Sequence, residues 1–282
     1  IKELGSLIQQ KLVFFDVEWL KMDEEKARAI IEDPKLANYK HHLETSRQYR
    51  EHTLEEPQEQ IMAAKSITGR SAWVRYFDET LGAARFEIDG ENVTEQEALS
   101  KLHEGDRELR KKAHSALTET FQDLLRTQTF IFNTVLADKQ TNDKLRNYDS
   151  WIASRNLANE IDDDSVEALV HSVTGNYELV QRFYELKKSL LGYDELYDYD
   201  RYAPLLENEK QYSWEEAKQI VLDAYRSFDP EMAEIASHFF EKNWIDAAVR
   251  EGKRGGAFSA STVPSAHPYV LMNFTGKIRD VQ

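Results

Sequence analysis

Apolar positions along the chain recur mostly at helical spacing. Leu12, Phe15, Trp19 and Leu20 share one face near the start, and Asp33-Pro34 predicts a fresh helix with Asp as cap and Pro in the first turn. A third helix is predicted from Pro57 to Leu81, with Trp73, Val74, Phe77 and Leu81 on one side. The period then changes. Phe86 and Ile88 alternate ahead of Asp89-Gly90, a hairpin turn signal, and Thr94 with Glu97 forms a capping box for the helix that follows. This small hairpin, near 85–94, is the predicted boundary between two subdomains. From Asp106 to about Lys139 one long helix is predicted, with Leu109, Ala113, Leu117, Phe121, Leu125, Phe132 and Leu136 close to one stripe.

Another helix is predicted from the acidic run "EIDDDS" to Leu191, where Gly192 can end it. Ser213 with Glu216, and Asp229 with Pro230, open two more. The last thirty residues read differently. "GGAFSASTVPSAHPYVLMNF" clusters Gly, Ser, Thr and Pro around two β-prone runs, at Phe258 and from Tyr269 to Phe274. This predicts a short β insert near 256–274, with no other sheet in the chain for it to join. Thr275 reads as the N-cap of a final helix carrying Ile278 and Val281. The fold class is therefore mainly α, a multi-helix architecture with two small β elements.

Composition narrows the function classes. A formal net charge of -15 argues against nucleic acid and anionic membrane as partners. Absence of cysteine removes disulfides, thiolate metal sites and a Cys nucleophile, and fits a reducing cytoplasm. No apolar run approaches the ~18 residues of a membrane span. The first residues, "IKELGSLIQQ", lack an initiator Met and start inside a helical pattern, so both ends are expected to be internal to a longer protein.

Candidate chemistry is sparse. The pairs "HH" at 41–42 and "HEGDR" from His103 fail the His-Glu-x-x-His spacing that sets two ligands on one helical face. His41, His42, His52, His103, His114, His171 and His238 read as surface or capping residues. "EIDDDS" is placed where a helix N-terminus favours carboxylates, and it lacks the spaced ligands of a calcium loop. "DELYDYDRY", holding Asp194, Tyr197, Asp198, Tyr199, Asp200 and Tyr202, reads as a packed aromatic loop or as the wall of a cleft. "EGKRGGA", Glu251 to Ala257, is not a phosphate loop, because no Lys-Ser/Thr opens a helix after it. Two readings of Gly255 and Gly256 stand: a flexible entry to a strand, or an opening that leaves the strand edge free to pair with an extended peptide. No Gly-x-Ser-x-Gly elbow supports a serine hydrolase.

Several stretches, in order, resemble oligoendopeptidase F, a zinc metallopeptidase family related to thimet oligopeptidase. They are "SITGRSAWVRYFDE", "FIFNTVLADK", "RNLANEID", "YDRYAPL" and, most specifically, "GKRGGAFSASTVPSAHPYVLMNFTGKIRDV". The resemblance implies a helical peptidase acting on short peptides, with residues 1–98 as an N-terminal helical domain and 99–282 as the first half of the catalytic domain. It implies that Gly256, Ala257, Phe258 and Ser259 hold substrate backbone, with His267 and Tyr269 near the cleft. His267 is then either a substrate or oxyanion contact or purely structural. Ser259 stands where relatives often carry Cys, and the usual N-terminal extension is missing. One zinc ion is implied as cofactor, held by a His-Glu-x-x-His helix and a later Glu expected beyond Gln282, with a metal-activated water as nucleophile. On that reading no catalytic or metal residue lies within the chain, and the chain by itself is expected to be inactive. The alternative is a non-catalytic helical peptide-binding or scaffold protein.

Overall fold

The computed structural model describes residues 2–205 and 210–281. The chain begins with α1 (Lys2–Lys21), α2 (Glu24–Ile31) and α3 (Lys40–Arg47), the last preceded by a 3-10 turn over Pro34–Tyr39. Asp33 caps that turn by accepting from the Lys35 amide at 2.9 Å. The helix predicted over 57–81 is two helices, α4 (Glu56–Lys65) and α5 (Arg70–Ala83). The break falls at Ser66–Gly69, where the Ser66 hydroxyl donates to the Ala63 carbonyl at 2.8 Å and takes up a bond acceptor that a continuous helix would use.

The hairpin forms as predicted: β1 (Phe86–Ile88) and β2 (Glu91–Val93) pair antiparallel across Asp89 and Gly90, both at positive φ. Thr94 and Glu97 cap α6 (Glu95–Lys101) reciprocally. The long helix is α7 (Arg107–Leu145). Its predicted stripe is only half buried among the described residues. Ala113 and Leu117 are core, whereas Leu125, Phe132 and Leu136 are exposed. Steps of four residues drift about 40° each around a helix, so the stripe rotates off the packed side.

A short α8 (Ala153–Ala158) follows, not anticipated from periodicity. The single helix expected up to Leu191 is instead α9 (Asp163–Gly175) and α10 (Tyr177–Leu191), parted at Asn176, with Gly192 at positive φ ending the second. Ser213 caps α11 (Trp214–Phe228) by a complete capping box, and Asp229 caps α12 (Pro230–Glu241) by accepting from the Glu231 amide.

The β insert does have a sheet to join, contrary to expectation. The strand β3 (Ile245–Ala248) lies ahead of β4 (Phe258–Ala260) and β5 (Tyr269–Phe274), giving the order β3-β5-β4. β3 runs parallel to β5 and β4 antiparallel to it. The chain closes with α13 (Ile278–Val281). Thr275 is not its acceptor cap; instead the Thr275 amide and hydroxyl both donate to Asp280 Oδ2 at 2.7 Å.

Two compact units result, Ile1–Phe77 with Arg126–Arg182, and Asp78–Leu125 with Phe183–Gln282. In the first, Trp19, Leu20 and Ala27 form a small core beneath Leu43 and Tyr49, and α1 meets α4 where the Ser6 hydroxyl donates to the Ala63 carbonyl. In the second, Phe86 and Ile88 of the hairpin are buried with Ala98 of α6 and Ala113, Ala116 and Leu117 of α7. That second unit carries the three-stranded sheet.

Candidate functional site

The sheet ends on β4, whose three residues are all exposed, so one edge of the sheet is open among the described strands. Such an edge offers unpaired amides and carbonyls to another extended chain. Its register is fixed by three pairs: Phe258 beside Leu271, Ser259 beside Val270 and Ala260 beside Tyr269.

The approach to β4 is held from both sides. Gly256 is at φ +79°, a region L side chains rarely adopt, and a Cβ there would meet open space, so backbone conformation is what requires glycine. Gly255 is a different case: a Cβ would fall 2.5 Å from Gln96 Nε2 of α6. The Asn273 side chain on β5 donates to the Arg254 carbonyl at 3.1 Å and the Gly256 carbonyl at 2.9 Å, tying the loop to the sheet. The Arg254 guanidinium lies 5.7 Å from the Phe258 ring centroid, a cation–π contact.

Beneath the loop, Lys253 has a side chain only 2% exposed. Its ammonium donates to the carbonyls of Asp246 (2.9 Å), Ala248 (2.8 Å) and Met272 (2.7 Å), and to Asp246 Oδ1 at 3.1 Å. Those carbonyls flank the one irregularity of the β3–β5 ladder, where the register shifts between Asp246 and Ala248. A buried ammonium is costly unless its protons are paired, and here a break in the ladder supplies the acceptors. Asp246 in turn accepts two bonds from Arg250, at 2.6 and 2.7 Å. Those bonds, with that of Lys253, hold the Asp246 carboxyl far below the usual carboxylate range.

His267 and Tyr269 stand at the other end of the sheet. The His267 ring is stacked on Trp244 with centroids 3.4 Å apart and planes 7° apart, and its Nδ1 is 3.2 Å from the Pro268 carbonyl. Tyr269 meets the same imidazole edge-on at 4.7 Å and is exposed. Gly256, Ala257, Phe258 and Ser259 therefore form one continuous run into the open edge, with Tyr269 across from its far end at Ala260. Sequence reasoning does not single out Trp244; an aromatic residue directly ahead of the β-branched Ile245 is only a weak strand signal.

The aromatic loop "DELYDYDRY" packs as a loop. Asp200 is fully buried and accepts from Arg107 at 3.1 and 2.7 Å and from Arg110, itself fully buried, at 2.9 Å. Burial by itself would raise the Asp200 carboxyl, but the hydrogen bonds from the two guanidiniums outweigh it and leave it lowered. Arg107 also lies 3.9 Å over the Tyr193 ring, and Tyr197 stacks on Tyr199.

His103 is more than a surface residue. It stacks on Tyr202 at 4.3 Å and is hydrogen-bonded to Arg279. Burial first, then the charges of Arg279 and Lys277, push the imidazole down to about 4, so it is neutral at pH 7 and accepts from Arg279. Lys277 beside it is buried and donates to Glu104 at 2.9 Å. Among the described residues no group of three or more His, Asp or Glu side chains could hold a metal ion.

Comparison with known proteins shows the family. The model for peptidase family M3 matches residues 100–282, and the model described as oligopeptidase F matches residues 18–86. The chain belongs to peptidase family M3. Within that family it is of the oligoendopeptidase F type. Oligopeptidase PepF of Bacillus subtilis is 27% identical over 272 residues, covering 94% of this chain and 40% of that protein. An oligoendopeptidase F homolog of Borreliella burgdorferi is 27% identical over 285 residues, covering 99% and 48%. The solved structure of PZ peptidase A with inhibitor 2 superposes with a TM-score of 0.78 at 15% identity, over 99% of this chain and 49% of that one, which shows the M3 helical fold. The chain thus spans less than half the length of these family M3 relatives. None of its described helices is long and apolar enough to cross a membrane.

Proposed function

We propose that the protein containing this chain is a zinc-dependent metalloendopeptidase that hydrolyses short peptides, and that this chain supplies the part that holds the peptide. The observation that carries the reading is the open β4 edge, reached through a glycine loop that Lys253 and Asn273 fix from beneath. Main-chain pairing on such an edge binds extended peptides with little regard to sequence, as a general oligopeptidase requires. Gly256, Ala257, Phe258 and Ser259 would hold substrate backbone, while His267 and Tyr269 would flank its end. Residues 1–98 would be the N-terminal helical domain and 99–282 the front of the catalytic domain.

The described residues offer no ligand set that fits zinc. No step of the hydrolysis is assigned to them, and this chain by itself would be inactive. The ligands would come from elsewhere in the protein. Membership of a peptidase family supports the reading, as does the apolar groove that Ser259 of the edge strand lines.

The test is hydrolysis of a quenched fluorescent peptide by the intact protein. Activity should vanish with a chelator and return with zinc; hydrolysis that ignores the chelator would contradict the assignment. A second reading is a helical peptide-binding or scaffold protein without catalysis, which the open β4 edge would serve equally well. Peptide binding with no cleavage under any metal loading would support that one.

A further inference from the structure

One cross-strand row of the sheet ends at the open edge. Ile245 on β3 stands beside Val270 on β5, which stands beside Ser259 on β4. Side chains of directly paired residues lie on the same face of a pleated sheet, so these three point the same way. All three line a cavity of about 430 Å³, together with Tyr225 of α11 and Met232 and Ile235 of α12. None of the described lining residues is charged. Tyr225, Met232 and Ile235 are exposed, 41%, 40% and 54%.

The row shrinks toward the edge, from two branched apolar side chains to the hydroxymethyl of Ser259. A strand added to β4 would lie about 4.8 Å further out. Its residue opposite Ser259 would continue the row and point its side chain to the same face, toward the cavity that Ser259 lines. Its two neighbours would turn to the other face, where Phe258, Leu271 and Asp246 make up the adjacent row.

We propose that this groove between the sheet and the helices α11 and α12 is a specificity pocket for one large apolar side chain, of the Phe, Leu or Met class, of a peptide paired on β4. The proposal rests on the peptide-docking reading of β4 and adds what that reading lacks. Backbone pairing is blind to sequence, and the groove selects at one position of the peptide.

The experiment uses the intact protein and a series of short fluorescein-labelled peptides that carry Phe, Ala or Glu at each successive position. Binding is read by anisotropy and cleavage by product formation. One position should favour Phe over Glu by about 10-fold or more, as full burial of an aromatic side chain implies. Ile235→Lys and Met232→Lys, both at exposed positions, should bring that ratio close to 1. Leu169→Lys, an exposed apolar position on α9, should leave it unmoved. A flat profile in the unaltered protein, or a preference unchanged in both groove variants, overturns the pocket. Hydrolysis with a flat profile would refute the pocket alone. A preference in binding without any cleavage would support the pocket and refute the peptidase reading. Peptides that neither bind nor are cut would overturn both.

Discussion

At the scale of single residues, the second unit is held by buried charges whose partners are complete. Asp200 sits between Arg107 and Arg110, and both Asp200 and Arg110 are fully removed from water. Replacing Asp200 with Asn would leave the Arg110 guanidinium buried without its counter-charge, a loss of about 3 to 5 kcal/mol in urea unfolding. His103 gives a pH-dependent prediction. Its folded value is depressed to about 4 from an ordinary 6.5, so on acidification the unfolded chain takes up the proton first. Stability from this site is complete above about pH 6.5 and is lost as pH falls from there toward 4. A His103→Gln variant should therefore lose less Tm between pH 7 and pH 5 than the unaltered protein; an identical decline would show that another group governs it.

At the scale of elements, the loop and edge strand depend on an irregular ladder. Lys253 takes up the carbonyls of Asp246, Ala248 and Met272 where the β3–β5 register slips. Lys253→Met keeps the apolar stem and removes the donor, which leaves buried acceptors unpaired and should cost at least about 2 kcal/mol in thermal or urea unfolding. In the intact protein the same change should raise KM more than it lowers kcat, because under the proposed function it loosens the edge that would hold substrate backbone. The loss of stability with unchanged KM would separate the ladder from peptide docking.

Much of this level was legible in the sequence. Thr94/Glu97, Ser213/Glu216 and Asp229-Pro230 start helices where they stand, and Asp89-Gly90 turns the hairpin, because each is a local device complete within four residues. What escaped is non-local or finely balanced. β3 is four residues long and is made a strand by pairing with β5, more than twenty residues on. The breaks at Ser66–Gly69 and Asn176 interrupt apolar patterns that continue across them. The candidate site divides the same way. The run Gly256–Ser259 could be named from glycine placement and family likeness, whereas Lys253 and Trp244 gain their roles only from partners brought together by folding.

At the scale of the whole molecule, a family M3 helical fold carries the open β4 edge in a chain that covers less than half of its relatives' length. The proposed function requires an extended peptide to pair with β4 through its main chain. Backbone N-methylation tests this most directly, since it removes one donor and crowds the edge while leaving every side chain in place. A peptide bound by the intact protein would be methylated at each amide in turn, and affinity measured. Losses of about 10-fold are expected at alternate amides only, with the others tolerated, because alternate amides of a strand face the sheet it joins. A profile with no alternation, or one in which no methyl group weakens binding, would contradict it.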